Sequence, residues 1–238
     1  MLGGPLGERS LNSYCRGMAL ALVTGSARAN SIAAGIVPRL AAEGWEVATS
    51  DLGHADYPCD LSSASAPDEL INDVLRERGP ITALVLSHAH DVETGVLDTT
   101  AESFDQHVAV NARASLLLIA AFARQVPETG GVIVALTSDA TTGNLPYGAS
   151  KGALDRIVIA AARELGPLGI SANVLNPGPI DTGWMDDATR TDLAGQQPSG
   201  RLGRPSDIAG VVAFLVSDEG RWISGQLLNA DGGFSARF

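Results

Sequence analysis

Tyr147 and Lys151 stand four residues apart in the stretch NLPYGASKGALDRIVIAAARELG. A phenol and an ammonium at that spacing make a proton-transfer pair if a helix carries them. Leu154, Ile157, Val158 and Ala161 recur at helical intervals, so Tyr147 to Leu165 is expected to be a helix. Residues i and i+4 share a helix face, which directs both side chains into one space. A phenol titrates at about 10 and is a poor base at neutral pH. A neighbouring cation favours the phenolate and lets tyrosine act as a general acid or base near neutrality. Tyrosine and lysine also share many unremarkable helix faces, so the pair needs a site around it.

The elements that would position it alternate along the chain. Short apolar runs mark strands at Ala19–Val23, Glu46–Thr49, Ala83–Leu86, Val132–Leu136, Ser171–Leu175 and Gln226–Asn229. Helical patterns cover Ser31–Glu43, Pro67–Arg78, Ala101–Arg124, Tyr147–Leu165 and Pro205–Ser217. Buried runs separated by helices indicate an α/β fold with a parallel sheet covered on both faces. We expect one Rossmann-type, doubly wound domain of about seven strands, once a short strand is admitted. In such sheets ligands bind beyond the carboxyl ends of the strands. Gly25, Asp51, Ser87, Ser138 and Pro177–Gly178 all fall at those ends.

The 238 residues suffice for one such domain, with 45% hydrophobic and 18% charged content. A formal net charge of −11 argues against a nucleic-acid surface or anionic lipid as partner. Cys15 and Cys59 are the only cysteines, so no disulfide framework is expected and a cytoplasmic setting suits the chain. No apolar run is expected to span a membrane. Residues 1–17 lack the apolar core of a secretory signal and read as a tail, a tag remnant or an over-extended start. The domain is expected to begin at Met18, in MALALVTG.

VTGSARANSIAAGIVPRLAAEG reads as strand, turn and helix. The helix N-terminus offers N–H groups and a positive dipole end to a pyrophosphate. The usual G-x-G-x-x-G is absent. Gly25, Ser31 and Ala33 stand in its place as G-x5-S-x-A, with Gly35 beyond. Ser31 is either a plain N-cap or a phosphate donor beside Ile32.

From about Met18 onward the chain resembles the short-chain dehydrogenase/reductase family. The matching elements occur in order: VTG before a helix, Asp60 and Leu61 in CDL, Asn111 in HVAVNARASLLL, and Ser138 in VALTSDATTG. Tyr147-x3-Lys151, NPGPIDT and the closing GQLLNADGG follow. The glycine turn and LVLSHAH are similar to the branch containing bacterial enoyl reductases. The Tyr-x3-Lys spacing resembles the carbonyl-reducing branch, with a shortened Ser138–Tyr147 interval.

The resemblance implies an NAD(P)-dependent oxidoreductase interconverting a carbonyl and a secondary alcohol, most like 3-oxoacyl-thioester reductases. Tyr147 would be the general acid/base, and Lys151 would lower its pKa and hold the nicotinamide ribose. Ser138 would stabilise the substrate oxygen, unless it is only a turn serine. Asn111 would interrupt its helix and hold a water linking Lys151 to solvent, unless it simply faces solvent. Gly25, Arg28, Ser31, Ile32, Asp51, Asp60, Leu61, Ser87, Pro177, Gly178, Ile180 and Thr182 would contact cofactor. Asp51 would accept from the adenosine ribose and repel a 2′-phosphate, favouring NAD, while Arg28 argues for NADP. Asp51 could equally be a solvated loop carboxylate.

His88 and His90 stand too close, without a third ligand, to suggest a metal, and read as cleft-lining loop residues. Thr182 to Arg204 reads as a short mobile lid, with Trp184 and Met185 at its start. The resemblance implies a homodimer or homotetramer through the terminal segments. An enoyl-type reductase, or a cofactor-binding sensor or scaffold without turnover, are the competing readings.

Overall fold

The computed structural model describes residues 19–140, 142–183 and 185–236. The expected tail at 1–17, Cys15, Met18 and Trp184 lie outside them. Seven strands form one parallel sheet: β1 (Leu20–Thr24), β2 (Glu46–Asp51), β3 (Tyr57–Pro58), β4 (Ile81–Leu86), β5 (Gly131–Leu136), β6 (Ile170–Asn176) and β7 (Leu227–Asn229). Their order is β3-β2-β1-β4-β5-β6-β7. The order reverses at β1, which pairs on one side with β2 (Leu20 opposite Glu46) and on the other with β4 (Leu20 opposite Ile81). The short strand admitted in the sequence is β3, which follows β2 without an intervening helix.

Alternation along the central strands sends side chains to two cores. Leu20, Leu22, Leu84, Leu86, Ile133 and Ala135 face one, with Leu70, Phe122, Leu154 and Val158 from the helices α2 (Ala66–Arg78), α4 (Ala114–Gln125) and α5 (Leu145–Glu164). Ala21, Val23, Ala83, Val85, Val132 and Val134 face the other, under α1 (Ile32–Ala42) and α7 (Pro205–Val216). Each fully buried Leu, Ile or Phe here contributes about 1.5–3 kcal/mol of apolar transfer.

The caps follow from residue type. Ser31 accepts from the Ala34 N–H at 3.1 Å to open α1, and the Asp207 carboxylate accepts from the Arg204 N–H at 2.8 Å to open α7. Pro38 removes one ladder bond inside α1, and the packing of Ile36 and Leu40 carries the helix through it.

Two expectations need correction. The single helix expected over Ala101–Arg124 is α3 (Ala101–His107), a π-helical turn at Val108–Arg113, and then α4. Together these form a 25-residue stretch, Ala101–Gln125, that is long and apolar enough for a membrane span by length and composition. Its apolarity instead serves the core, where Leu118, Ile119 and Phe122 are buried. The lid is also not a bare loop: Asp186 accepts from the Thr189 N–H at 2.8 Å and opens α6 (Asp187–Gln196).

Candidate active site

The carboxyl ends of the strands open into a cleft of about 920 Å³. At one end the glycine turn after β1 contributes Gly25, Arg28, Ser31 and Ile32; the end of β2 contributes Asp51, and the loop after β3 contributes Asp60 and Leu61. Gly25 sits at φ +76°, and a Cβ there would lie 2.6 Å from the Ser87 carbonyl oxygen and the His88 nitrogen. Only glycine lets this turn approach the end of β4 so closely. Its N–H donates to the Ser50 carbonyl at 2.8 Å, fixing the turn against β2. Asp51 accepts from the Ala27 N–H at 2.9 Å and from the Leu52 N–H at 2.6 Å. The carboxylate is thereby pinned at the cleft wall. The Ser62 N–H similarly holds the Asp60 carboxyl below the usual carboxylate range.

These residues fit a dinucleotide. The N–H groups of Ile32 and Ala33 belong to the first turn of α1, where a helix supplies no carbonyl of its own to pair them, and Ile32 lines the cleft. The cleft volume lies in the range of small-molecule and cofactor sites.

At the other end, Tyr147 and Lys151 project from α5 into the same cleft, beside Ser87, Pro177 and Thr182. Tyr147 is also part of the wall of an adjoining cavity of about 320 Å³, which Ser138, Pro177, Gly178, Ile180 and Thr182 line with it. Ser138 therefore reaches Tyr147's neighbourhood despite the short interval between them; its Oγ accepts from the Ala140 N–H at 3.1 Å. The Gly178 N–H donates to the Asn176 side chain at 3.1 Å, and the Ile180 turn is held by a parallel bridge to Gly203.

The Lys151 ammonium lies 5.6 Å from the Tyr147 ring centroid and donates to the Leu136 carbonyl at 2.8 Å. Burial lowers the Lys151 pKa to about 8, against the opposing pull of Asp155 and Asp91. It is the sole lysine among 238 residues, a signal that the motif reading passed over. The phenol is not acidified as expected: burial, and then the Asp91 carboxylate, push Tyr147 above its ordinary value. The amine in this pair is the group poised near physiological pH.

Asn111 lies in the π-helical turn, so the expected break in its helix is present. It is fully buried, behind the cleft. Its amide donates to the His90 carbonyl and to Ser150 Oγ, both at 2.9 Å, and its oxygen accepts from the His90 N–H at 2.7 Å. The carboxamide cross-links the segment after β4 to α5. Both amide protons are thereby spent, while the oxygen keeps a second acceptor position.

His88 explains the unusual SHAH sequence. Its Nε2 lies 3.1 Å from the Val110 carbonyl and 3.3 Å from Ser115 Oγ, whose own proton goes to the Asn111 carbonyl at 2.9 Å. The Val110 carbonyl can only accept, so Nε2 carries the proton. Nδ1 then accepts from Thr24 Oγ1 at 2.7 Å. One neutral imidazole ties β1 to the Val110 carbonyl of the π-helical turn. Burial, and then the Lys151 charge, depress its pKa to about 3.

Further residues of the site emerge only in three dimensions. Asp91 lines the cleft and accepts from Asn144 Nδ2 at 2.7 Å, joining the post-β4 segment to the residue preceding α5. The Leu145 N–H donates to the Thr94 carbonyl at 3.0 Å beside it. Met185, Asp186 and Leu193 bring the lid helix over the catalytic end.

A family model described as enoyl-(acyl carrier protein) reductase matches residues 25–235. The uncharacterized oxidoreductase YjdA of Bacillus subtilis is 34% identical over 241 residues, covering 90% of this chain and 96% of YjdA. The chain belongs to the short-chain dehydrogenase/reductase family. The 3-oxoacyl-[acyl-carrier-protein] reductase MabA of Mycobacterium tuberculosis is 29% identical, over 89% of this chain and 91% of MabA. The crystal structure of a blue fluorescent protein from a metagenomic library, in complex with NADPH, superposes with a TM-score of 0.84 at 29% identity, covering 91% of this chain and 98% of that one. As a family member the protein is an oxidoreductase that uses NAD(P), and the resemblance read from the motifs holds.

Proposed function

We propose that this short-chain dehydrogenase/reductase interconverts a ketone and a secondary alcohol, with 3-oxoacyl thioesters as the leading substrate class. The observation that carries the reading is the meeting of Tyr147, Lys151 and Ser138 around two adjoining cavities that also hold the residues expected against the nicotinamide. When bound, the dinucleotide supplies the hydride, and the protein supplies position and proton. Gly25, Ser31, Ile32 and Thr182 would hold its phosphates, and Pro177, Gly178 and Ile180 its nicotinamide end.

Tyr147 keeps its proton at neutral pH, because burial and Asp91 both oppose the phenolate. It is therefore ready to donate to a carbonyl oxygen that is gaining negative charge. Ser138 donates a hydrogen bond to the same oxygen and fixes its direction. Lys151, titrating near 8, resupplies the proton. Pinned by two backbone N–H groups, the Asp51 carboxylate cannot swing aside for a 2′-phosphate, so NAD is the preferred cofactor; Arg28 on the same rim is the counter-argument.

An enoyl-type reduction is the second reading, favoured by the glycine turn and by the description of the matching family model. The i, i+4 placement of Tyr147 and Lys151 on α5 weighs against it. A cytoplasmic location and a homodimer or homotetramer belong to the same proposal. For the latter, Phe214, Trp222 and Leu227 expose apolar surface on α7 and around β7.

The test follows cofactor absorbance with NADH and with NADPH over ketones, 3-oxoacyl thioesters and 2-enoyl thioesters. Turnover of keto substrates, lost on Tyr147→Phe with cofactor binding retained, supports the proposal. Turnover of enoyl substrates alone establishes the second reading. Cofactor binding with no turnover on any substrate favours a sensor or scaffold.

A further inference from the structure

Tyr147 and Lys151 are followed on α5 by a third polar group at the same interval. Asp155 lies one turn beyond Lys151, so the three side chains form a stripe along one helix face. Asp155 is half-buried, and its Oδ1 is enclosed with no hydrogen-bond partner among the described residues. An enclosed, unmatched carboxylate oxygen is costly and calls for a compensating positive charge.

Two charges of the opposite sign act on it, those of Lys151 and Arg156, both on α5. From the end of β5, the Thr137 hydroxyl reaches the Asp155 carboxylate and lies 3.5 Å from the Lys151 carbonyl. Lys151 itself is buried and donates to the neighbouring Leu136 carbonyl. Asp91 and His88, from the segment after β4, are the other titratable groups around it, and His88 is neutral. Asp155 is therefore the negative charge lodged in the same helix as the lysine, on the side away from Tyr147.

We propose that Asp155 is a positioning residue for the reaction, acting through Lys151: its enclosed carboxylate, one turn along the same helix face, keeps the Lys151 side chain cationic. The assignment rests on the oxidoreductase reading for its consequence in turnover, but not for its physical content. Losing the carboxylate removes a charge that favours the ammonium, so Lys151 must then lose its proton at lower pH.

The single lysine makes this directly measurable. Protein grown on 13C-labelled lysine gives one Cε–Hε resonance, and its shift against pH reports the charge on Lys151 alone. For the unaltered protein the inflection is expected near 8. Asp155→Asn should move it down by about one pH unit, and Asp155→Glu should bring most of it back. Asp155→Ser replaces the Asn variant if that one does not fold, as judged by thermal melting. An inflection unmoved in the charge-free variant overturns the proposal, as does equal displacement in the Glu variant. The titration needs no substrate. Inactivity on every ketone would therefore sink the functional reading while leaving this one standing, and an active enzyme with an unmoved inflection would do the reverse.

Discussion

Acidification should destabilise this protein through His88, and the size of the effect follows from its surroundings. The imidazole is buried, shares its proton with Val110 and accepts from Thr24. Its folded pKa is about 3, against 6.5 for an ordinary histidine. A folded value depressed below the unfolded one means that the unfolded chain binds the proton first. The stability from neutral His88 is therefore complete above about 6.5 and is lost as pH falls from there towards 3. Each pH unit in that window costs about 1.4 kcal/mol. Lowering the pH from 7 to about 4.5 should then remove roughly 3 kcal/mol through this residue, a large share of the stability of an ordinary domain. Urea denaturation at several pH values reads the total slope, to which many carboxylates also contribute. His88→Gln isolates the term, because the glutamine amide can still donate to the Val110 carbonyl yet does not titrate. The variant should start less stable at neutral pH and lose less on acidification, so that the two curves converge. Parallel curves for the two proteins across this window would refute the argument that His88 is held neutral.

Two other perturbations test the site's construction. Gly25→Ala forces a Cβ to within 2.6 Å of two backbone atoms at φ +76°. It should cost at least about 2 kcal/mol and weaken dinucleotide binding, measured by urea denaturation and by quenching of cofactor fluorescence. Asp91→Asn keeps an oxygen for Asn144 but removes the charge that disfavours the phenolate. The rise of alcohol oxidation with pH should then begin at lower pH than in the unaltered enzyme, and an unchanged profile would show that Asp91 does not act on Tyr147.

Much of this architecture was readable from the chain because parallel strands buried on both faces announce themselves as continuous apolar runs. Val132–Leu136 and Ser171–Leu175 fall inside β5 and β6 to within a residue or two at either end. The positions of Tyr147 and Lys151 on one helix face followed from the 3.6-residue period alone. What escaped was set by contacts distant in sequence. The apolar period shows no break at Val108–Arg113, and only the family resemblance implied one at Asn111; the π-helical turn there is held from outside, by His88 from 22 residues earlier and by the bonds of Asn111 to His90 and Ser150. The lid helix was missed because Asp187–Gln196 buries no residue and carries no apolar stripe. The acidified phenol was expected from a charge count along one helix, whereas burial and a carboxylate from another segment decide the matter.

The sheet order also bears on how the molecule assembles. Leu20 must meet both Glu46 and Ile81, so the first strand stays half-matched until some sixty further residues have been made. Every pairing in the sheet is parallel, and all but the short β2–β3 step demand a long crossover rather than a hairpin. Chains of this kind fold slowly for their size, because loop entropy is spent before the distant contacts repay it. During synthesis the apolar run LALVT is the segment that waits longest, and it is the natural target for a chaperone or for mispairing with a second nascent chain.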